Sequence, residues 1–413
     1  MDPPISLASP TEKDRVHTHV LVEYLQAQGV QETKVQLTHR IRVLDTLNKI
    51  LQVWFKKQKA TMKLYPFGSY ALGVHGPEGD IDLLMCSSVP RQFVFQNLGY
   101  ILPNHPSIEK YSLVEHSFVP VIKFTLMGIE IDLIYAKVEP ETEAIMAKDL
   151  NDKRLLSLGE VDLRSLNGYR VTMSLLKLVP NVATYRTTLV TIKLWAKRRF
   201  IYSNIMGFLG GISWALLTAK ICQLYPNASA SRCVDKFFQF FILWNGQSPI
   251  AISNAKLDRP CRDLIKILTP IYPSMNSTYN VSQVTWKIIQ KELKRGTDIF
   301  RKPFSAFPIQ RLLSKKNFFH YKRYIGIGMQ PEDKGLVESK LRHFFAAVGK
   351  EENLTIIPYP HCIKNHFFIA LKTVKGTKTL DLRTPVRQLQ SLFPEKTIKF
   401  KIYSPKDLEI FNI

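Results

Sequence analysis

Two aspartates spaced two apart, Asp80 and Asp82, following a Gly68-Ser69 pair, constrain this chain more than any other feature of its sequence. Phe67-Gly68-Ser69-Tyr70 reads as the end of a strand, a tight turn and the start of a short helix, and Asp80-Ile81-Asp82-Leu83-Leu84 as a second strand. Glycine lets a backbone come close to a phosphate, and the free N–H groups at a helix start favour negative charge. On an extended strand, residues two apart leave the same face, so both carboxylates point the same way. Anions that close repel each other unless a cation sits between them. A phosphate-binding turn beside a carboxylate pair predicts a site where a metal ion meets a nucleoside triphosphate. Taken singly, Gly-Ser turns and aspartate pairs are commonplace; the Gly73-Val74-His75-Gly76 loop between them and a later apolar strand ending in Asp132 make the combination specific.

That later strand belongs to a predicted hairpin. Val119 to Phe124 and Ile129 to Tyr135 flank a turn at Met127-Gly128. The second strand puts Glu130 and Asp132 on one face and Ile129, Ile131 and Leu133 on the other. If it lies beside the Asp80/Asp82 strand, Asp132 completes a carboxylate cluster, with Glu130 as the rival ligand. Such a cluster suits two Mg²⁺ ions about 4 Å apart, sharing Asp80 and Asp82 as bridging ligands. Asp132 would then sit beside the attacking hydroxyl and take its proton.

At 413 residues the chain is expected to divide into two or three domains. Fifty-seven basic against 34 acidic residues give a net charge of +23, which favours a polyanionic partner without choosing DNA or RNA. No run approaches the roughly 20 apolar residues of a membrane helix, and the N-terminus does not resemble a secretory signal. The five cysteines form no CxxC pair and no zinc spacing, which fits a reducing compartment.

Elsewhere the periodicity predicts mostly helix. Leu37, Ile41, Leu44, Leu47, Leu51 and Trp54 mark the inward stripe of a helix over residues 31–55. Leu189, Ile192 and Trp195 mark another, which carries Lys193 and Lys197 on a neighbouring face. Lys193 reads equally as part of a solvated basic face or as a cation for phosphate oxygens. Tyr202 and Asn204 read equally as loop packing or ligand contacts, and Gly210-Gly211 as a plain turn or a close approach to a flat base. Trp195, Trp214, Trp244 and Trp286 are expected in the core, and His75 in a structural role. A buried helix is predicted over 213–225 and a basic one over 281–294. From Tyr324 the order is β-α-β-β-α-β, that of a ferredoxin-like or RRM-like module, with Leu336, Leu341, Phe344 and Phe345 inward on its first helix.

Several stretches together resemble the eukaryotic nuclear poly(A) polymerases, within the polymerase-β-like nucleotidyltransferases. They include Phe67-Gly68-Ser69-Tyr70, Asp80-Ile81-Asp82, Gly128-Ile129-Glu130-Ile131-Asp132, Leu166-Asn167-Gly168-Tyr169-Arg170 and Ile192-Lys193-Leu194-Trp195. Ile201-Tyr202-Ser203-Asn204, Gly207-Phe208-Leu209-Gly210-Gly211 and Asn276-Ser277-Thr278-Tyr279-Asn280 continue the match, which runs from roughly Val20 to Lys350. The chain stops at Ile413, short of the Ser/Thr-rich tail with import signals found in some members.

The resemblance implies an α+β chain. N-terminal helices (residues 1–50) pack with a helical central domain (156–315), next to a nucleotidyltransferase palm (51–155) and an RRM-like RNA-binding domain (316–413). It implies template-independent addition of AMP from ATP to RNA 3′ ends in mRNA polyadenylation, with Mg²⁺ or Mn²⁺. It also implies a nuclear location, a monomer, and a link to the mRNA 3′-end processing machinery. Asp80, Asp82 and Asp132 match its metal-binding carboxylates, Gly68 and Ser69 its phosphate-contacting turn, and Phe67 beside them an ATP-binding position. Lys193 and Tyr202 match its triphosphate contacts, Val121, Gly211 and Ile212 the surroundings of its adenine, and Asn167 and Asn204 further ATP contacts. The alternatives are a terminal uridylyltransferase of the same superfamily and a non-catalytic RNA-binding protein that keeps the fold.

Overall fold

The computed structural model describes residues 2–257, 260–302, 306–349, 354–373, 381–393 and 398–411. Two helices come first, α1 (Glu12–Ala27) and α2 (Lys34–Lys57), each opened by a capping box, Thr11 with Asp14 and Thr33 with Gln36. They go to different places. Leu21 and Leu25 of α1 join the core of the helical region, whereas Val43, Leu47, Leu51, Trp54 and Phe55 of α2 pack on the first sheet. The expectation that both pack with the central domain is therefore corrected for α2. Its inward stripe is also rotated at the N-terminal end: Leu37 and Ile41 are exposed and Arg40 is buried in their place. An ion pair between Arg40 and Glu32 occupies that end, so charge rather than apolar burial chooses the face.

The first sheet comprises β1 (Met62–Phe67), β2 (Ile81–Ser87), β3 (Ile108–Val114), β4 (Val121–Leu126) and β5 (Ile129–Lys137), in the order β1-β2-β5-β4-β3. A short helix α3 (Gly68–Leu72) follows β1, and α4 (Arg91–Ile101) and α5 (Pro140–Lys148) flank the sheet. Only β2 and β5 run parallel. Both are apolar at their buried positions except at Ser87, which ends β2, as befits interior strands. The β4–β5 hairpin closes through Met127 (φ 51°) and Gly128 (φ 79°), two left-handed residues as a type I′ turn demands.

α6 (Glu160–Leu178) packs along β5, β1 and α3 and leads into the helical region of α7 (Val182–Arg198), α8 (Gly211–Leu224), α9 (Ala230–Phe241), α10 (Gln283–Arg301) and α11 (Ile309–Leu312). Its core gathers Trp195, Trp214, Phe237 and Phe238 edge to face, with Trp244 and Trp286 beside them. The four tryptophans are core, as expected. α10 runs about two turns past its predicted end, because Thr297 and Phe300 are buried as well.

The last part is β6 (Arg323–Gly328), α12 (Lys334–Val348), β7 (Leu354–Pro358), β8 (His366–Thr373), α13 (Arg383–Gln390) and β9 (Lys399–Tyr403). The strands form an antiparallel sheet in the order β7-β8-β6-β9, the ferredoxin-like topology. On α12 Leu336 is exposed; Val337 takes the inward position, three to four residues in phase with Leu341, Phe344 and Phe345. Both sheet faces are covered. Phe367, Ile369 and Leu371 of β8 join the core shared with α12, while Phe368 and Ala370 meet Tyr324, Tyr403, Phe318 and Phe411. The face on which an RRM stacks bases is filled here by the chain's own aromatics.

Candidate active site

Strand register builds the site. Because β2 and β5 are parallel neighbours, Asp82 lies directly opposite Asp132, and Asp80 sits one residue before β2 begins. One oxygen from each of Asp80, Asp82 and Asp132 lies within 4.8 Å of the others. Glu130 pairs with Thr125, further along the strand, and stands outside the cluster. Crowding shows in the acidity of Asp82: burial, then the charges of Asp80 and Asp132, push its pKa up to about 7. Three carboxylates held together at that cost, all hard oxygen donors, fit a divalent cation such as Mg²⁺ or Mn²⁺.

Gly68 is dictated by this cluster. Its φ is +63°, and a Cβ built on it would lie 2.1 Å from Asp82 Oδ2, so the turn and the carboxylate share space that no other residue leaves open. The Gly68 N–H donates to Thr172 Oγ1 at 3.0 Å, which corrects the picture of a wholly free phosphate-binding turn. The Ser69 amide, in the first turn of α3, has no acceptor within the helix. Phe67 is buried, and its ring fills the place a side chain at Gly168 would take, with a Cβ there only 2.5 Å from Phe67 Cε2. It anchors the turn and offers a ligand backbone rather than ring.

The end of α3 and the loop between it and β2 are held by three cations from two helices, α7 and α2. Arg186 Nε donates to Leu72 O (2.7 Å), Lys193 Nζ to Val74 O (2.9 Å) and Arg40 Nη2 to Pro77 O (3.1 Å). His75 Nε2 pairs with Glu32 Oε2 at 2.9 Å, so its structural reading holds. Between this loop and α7 opens a cleft of about 450 Å³ lined by Val74, Gly76, Gly79, Lys193 and Lys197. Burial lowers the Lys193 pKa to about 8, Lys197 adding to the effect and Asp80 and Asp82 opposing it. The ammonium is thus within electrostatic reach of the carboxylates.

Tyr202 is brought to the same place. Burial, and then the charge of Asp80, push its pKa up to about 12. Its hydroxyl occupies the space over Gly211, where a Cβ would be 2.8 Å away, and Gly210 likewise admits Asn204. The two glycines make room for this loop, and the close approach seen at Gly211 is that of the Tyr202 hydroxyl. Asn204 Oδ1 accepts from Asn280 Nδ2 at 2.6 Å, and Asn167 Oδ1 from Arg170 Nη1 at 3.1 Å; both are tied into the scaffold. Ile212, in the first turn of α8, is half-buried against the helical core. Val121 lies on the sheet face of Asp132, two residues from Lys123.

Lys123 was missed by the sequence reading. It pairs with Asp132 across the hairpin and forms an ion pair with it. The signal was present: a two-residue turn at Met127-Gly128 forces Lys123 opposite Asp132.

Comparison with known proteins agrees with this geometry. Residues 1–179 match the poly(A) polymerase nucleotidyltransferase domain and residues 184–307 the poly(A) polymerase central domain. A poly(A) polymerase from Dictyostelium discoideum is 40% identical over 399 residues, 88% of this chain and 49% of that protein. The chain belongs to the poly(A) polymerase family. Nuclear poly(A) polymerase 1 of Arabidopsis thaliana is 35% identical over 442 residues, 94% of this chain and 61% of that protein. The chain thus spans about half to three-fifths of the length of the poly(A) polymerases it matches. Among solved structures, the Cid1 poly(U) polymerase with MgGTP bound has a TM-score of 0.56 at 16% identity, covering 72% of this chain and 98% of that one. That likeness shows the fold alone, of the polymerase-β-like nucleotidyltransferase type. Among the described residues no helix is long and apolar enough to cross a membrane.

Proposed function

We propose that this chain is a template-independent polynucleotide adenylyltransferase, transferring AMP from ATP to an RNA 3′ hydroxyl with release of pyrophosphate. The observation that carries the reading is the pairing of Asp82 with Asp132 across β2 and β5, with Asp80 closing the carboxylate triad beside the Gly68 turn. Asp80, Asp82 and Asp132 would hold the metal, and Asp132 accepts the proton of the RNA hydroxyl. Bound there, Mg²⁺ or Mn²⁺ would acidify that hydroxyl and neutralise charge on the departing pyrophosphate. Lys123 orients Asp132 and offsets part of the charge of the cluster. The Ser69 amide, Lys193 and Tyr202 bind the triphosphate, and Lys193 exchanges the Val74 carbonyl for phosphate oxygens. Val121, Gly211 and Ile212 border the adenine; Asn167 and Asn204 stiffen the walls beside them.

The net charge of +23 supports a nucleic-acid substrate held mainly through its backbone, so RNA binding should be strongly salt-dependent and nearly independent of sequence. The relatives named nuclear poly(A) polymerases support a nuclear location and a role in polyadenylation; action as a monomer beside the mRNA 3′-end processing machinery belongs to the same proposal. Primer extension with each nucleoside triphosphate supplied singly tests the reading. ATP is expected to support long extension with Mg²⁺ or Mn²⁺. Preferred incorporation of UTP makes the chain a uridylyltransferase, and failure with all four nucleotides makes it a non-catalytic RNA binder.

A further inference from the structure

Away from the carboxylates, a half-enclosed cavity of about 280 Å³ lies at the seam where α10 and the end of α7 meet the segment leading into β6 and the strand β7. Its wall carries four cations, Arg199, Lys291, Arg295 and Lys316, and one carboxylate, Glu292. Arg199 saturates that carboxylate, with Nε 2.8 Å from Oε2 and Nη2 3.3 Å from Oε1. Lys316 Nζ shares Oε1 at 3.3 Å. Arg295 spends its guanidinium on Leu312 O (3.2 Å) and Ser314 Oγ (2.8 Å). Lys291 makes no hydrogen bond or ion pair among the described residues.

A purely structural ion cluster buries charge in balance, because each uncompensated buried ion is destabilising. This one sets buried Arg199 and part-buried Lys316 and Arg295 against the single carboxylate of Glu292, and with exposed Lys291 the cavity wall carries an excess of three positive charges. Burial already holds Lys316 below the ordinary lysine range against the help of Glu292, and Lys291 and Arg199 push it further. The residues with donors not fully committed line this one cavity: Lys291 and Lys316 with their ammonium groups, Tyr321 with its hydroxyl, and His320, whose Nδ1 is engaged with Asn317 O at 2.6 Å, leaving Nε2. Ammonium, imidazole and phenol donors around a small cavity are the set that recognises tetrahedral oxyanions.

We propose that this cavity binds a small phosphate polyanion of the diphosphate class, which bridges the helical core and the C-terminal sheet. A phosphodiester of RNA brings one charge and two bulky sugars, and leaves most of the excess uncompensated; a compact polyanion offsets it all. The proposal does not depend on the adenylyltransferase reading.

The test is calorimetric titration of the 413-residue chain with inorganic pyrophosphate, in EDTA at fixed ionic strength, with Lys193→Met in the background to silence the nucleotide cleft. Saturable binding is expected, tighter for pyrophosphate than for inorganic phosphate, and weakened about tenfold by Lys291→Gln. Lys316→Gln should weaken it as well, and the melting temperature of each variant without anion reports that it folds. Absence of saturable binding overturns the proposal, as does equal affinity in folded Lys291→Gln. Displacement of pyrophosphate by an oligo(A) lacking terminal phosphates assigns the cavity to RNA backbone and overturns it too.

Discussion

Replacing Gly68 by alanine isolates the geometry on which the site rests. Two effects arise. At φ +63° a Cβ strains the backbone by about 1–2 kcal/mol, a loss of folding stability. The same Cβ would lie 2.1 Å from Asp82 Oδ2, and since contacts under 3.0 Å are not tolerated, the carboxylate or the turn must move by about 0.9 Å. A displacement near 1 Å in a catalytic constellation lowers the rate about a hundredfold. Gly128→Ala is the matched control: its φ of +79° brings comparable strain, but nothing lies within 4 Å of its Cβ position. Chemical denaturation and primer extension on both variants separate the effects. Both should lose about 1–2 kcal/mol of stability, and only Gly68→Ala should lose about two orders of magnitude in kcat. If Gly68→Ala extends primers at the wild-type rate, or if Gly128→Ala is equally inactive, the turn does not position Asp82 and the reasoning fails.

Three further outcomes are expected. The Asp82 pKa is raised in the folded chain to about 7, so the native state binds the extra proton and stability without metal falls as pH rises from about 4 to 7. Thermal melts in EDTA should show this slope, and Asp82→Asn or added Mg²⁺ should flatten it. Lys123→Met removes a cation that lowers the Asp82 pKa, so the acid limb of the pH–rate profile should move to higher pH, with kcat reduced about tenfold or more. Lys193→Met should reduce kcat/KM for ATP by about tenfold or more while RNA affinity in filter binding stays within about twofold, because the ammonium meets phosphate and not the primer.

Much of this protein was legible from residue spacing alone. The i, i+2 aspartates, the Gly-Ser turn and the Met127-Gly128 hairpin are local, and local geometry fixes which face a side chain leaves and which residue it opposes. Hence the carboxylate pair, the third acid on a neighbouring strand and the β-α-β-β-α-β order of the C-terminal module were all readable. Spacing could only rank Asp132 above Glu130, since that choice depends on the register of two strands about fifty residues apart, and a parallel pair has no turn to set it. Burial of Arg40 in place of Leu37 and Ile41 also escaped the period, because its partner Glu32 and the loop it holds come together only on folding. The covered face of the C-terminal sheet is a further case: nothing in the strand pattern says that Phe318 and Phe411 fold over it.

What the sequence determined by itself is a set of chemical groups and their local direction: hard carboxylate donors, a glycine turn, and a surplus of cations. What only the tertiary structure decided is which groups share a volume. Gly68 and Asp82 are fourteen residues apart, yet the glycine is obligatory because the carboxylate occupies the space of its missing side chain. Such close packing is set by the distances between elements, which no single stretch of chain encodes.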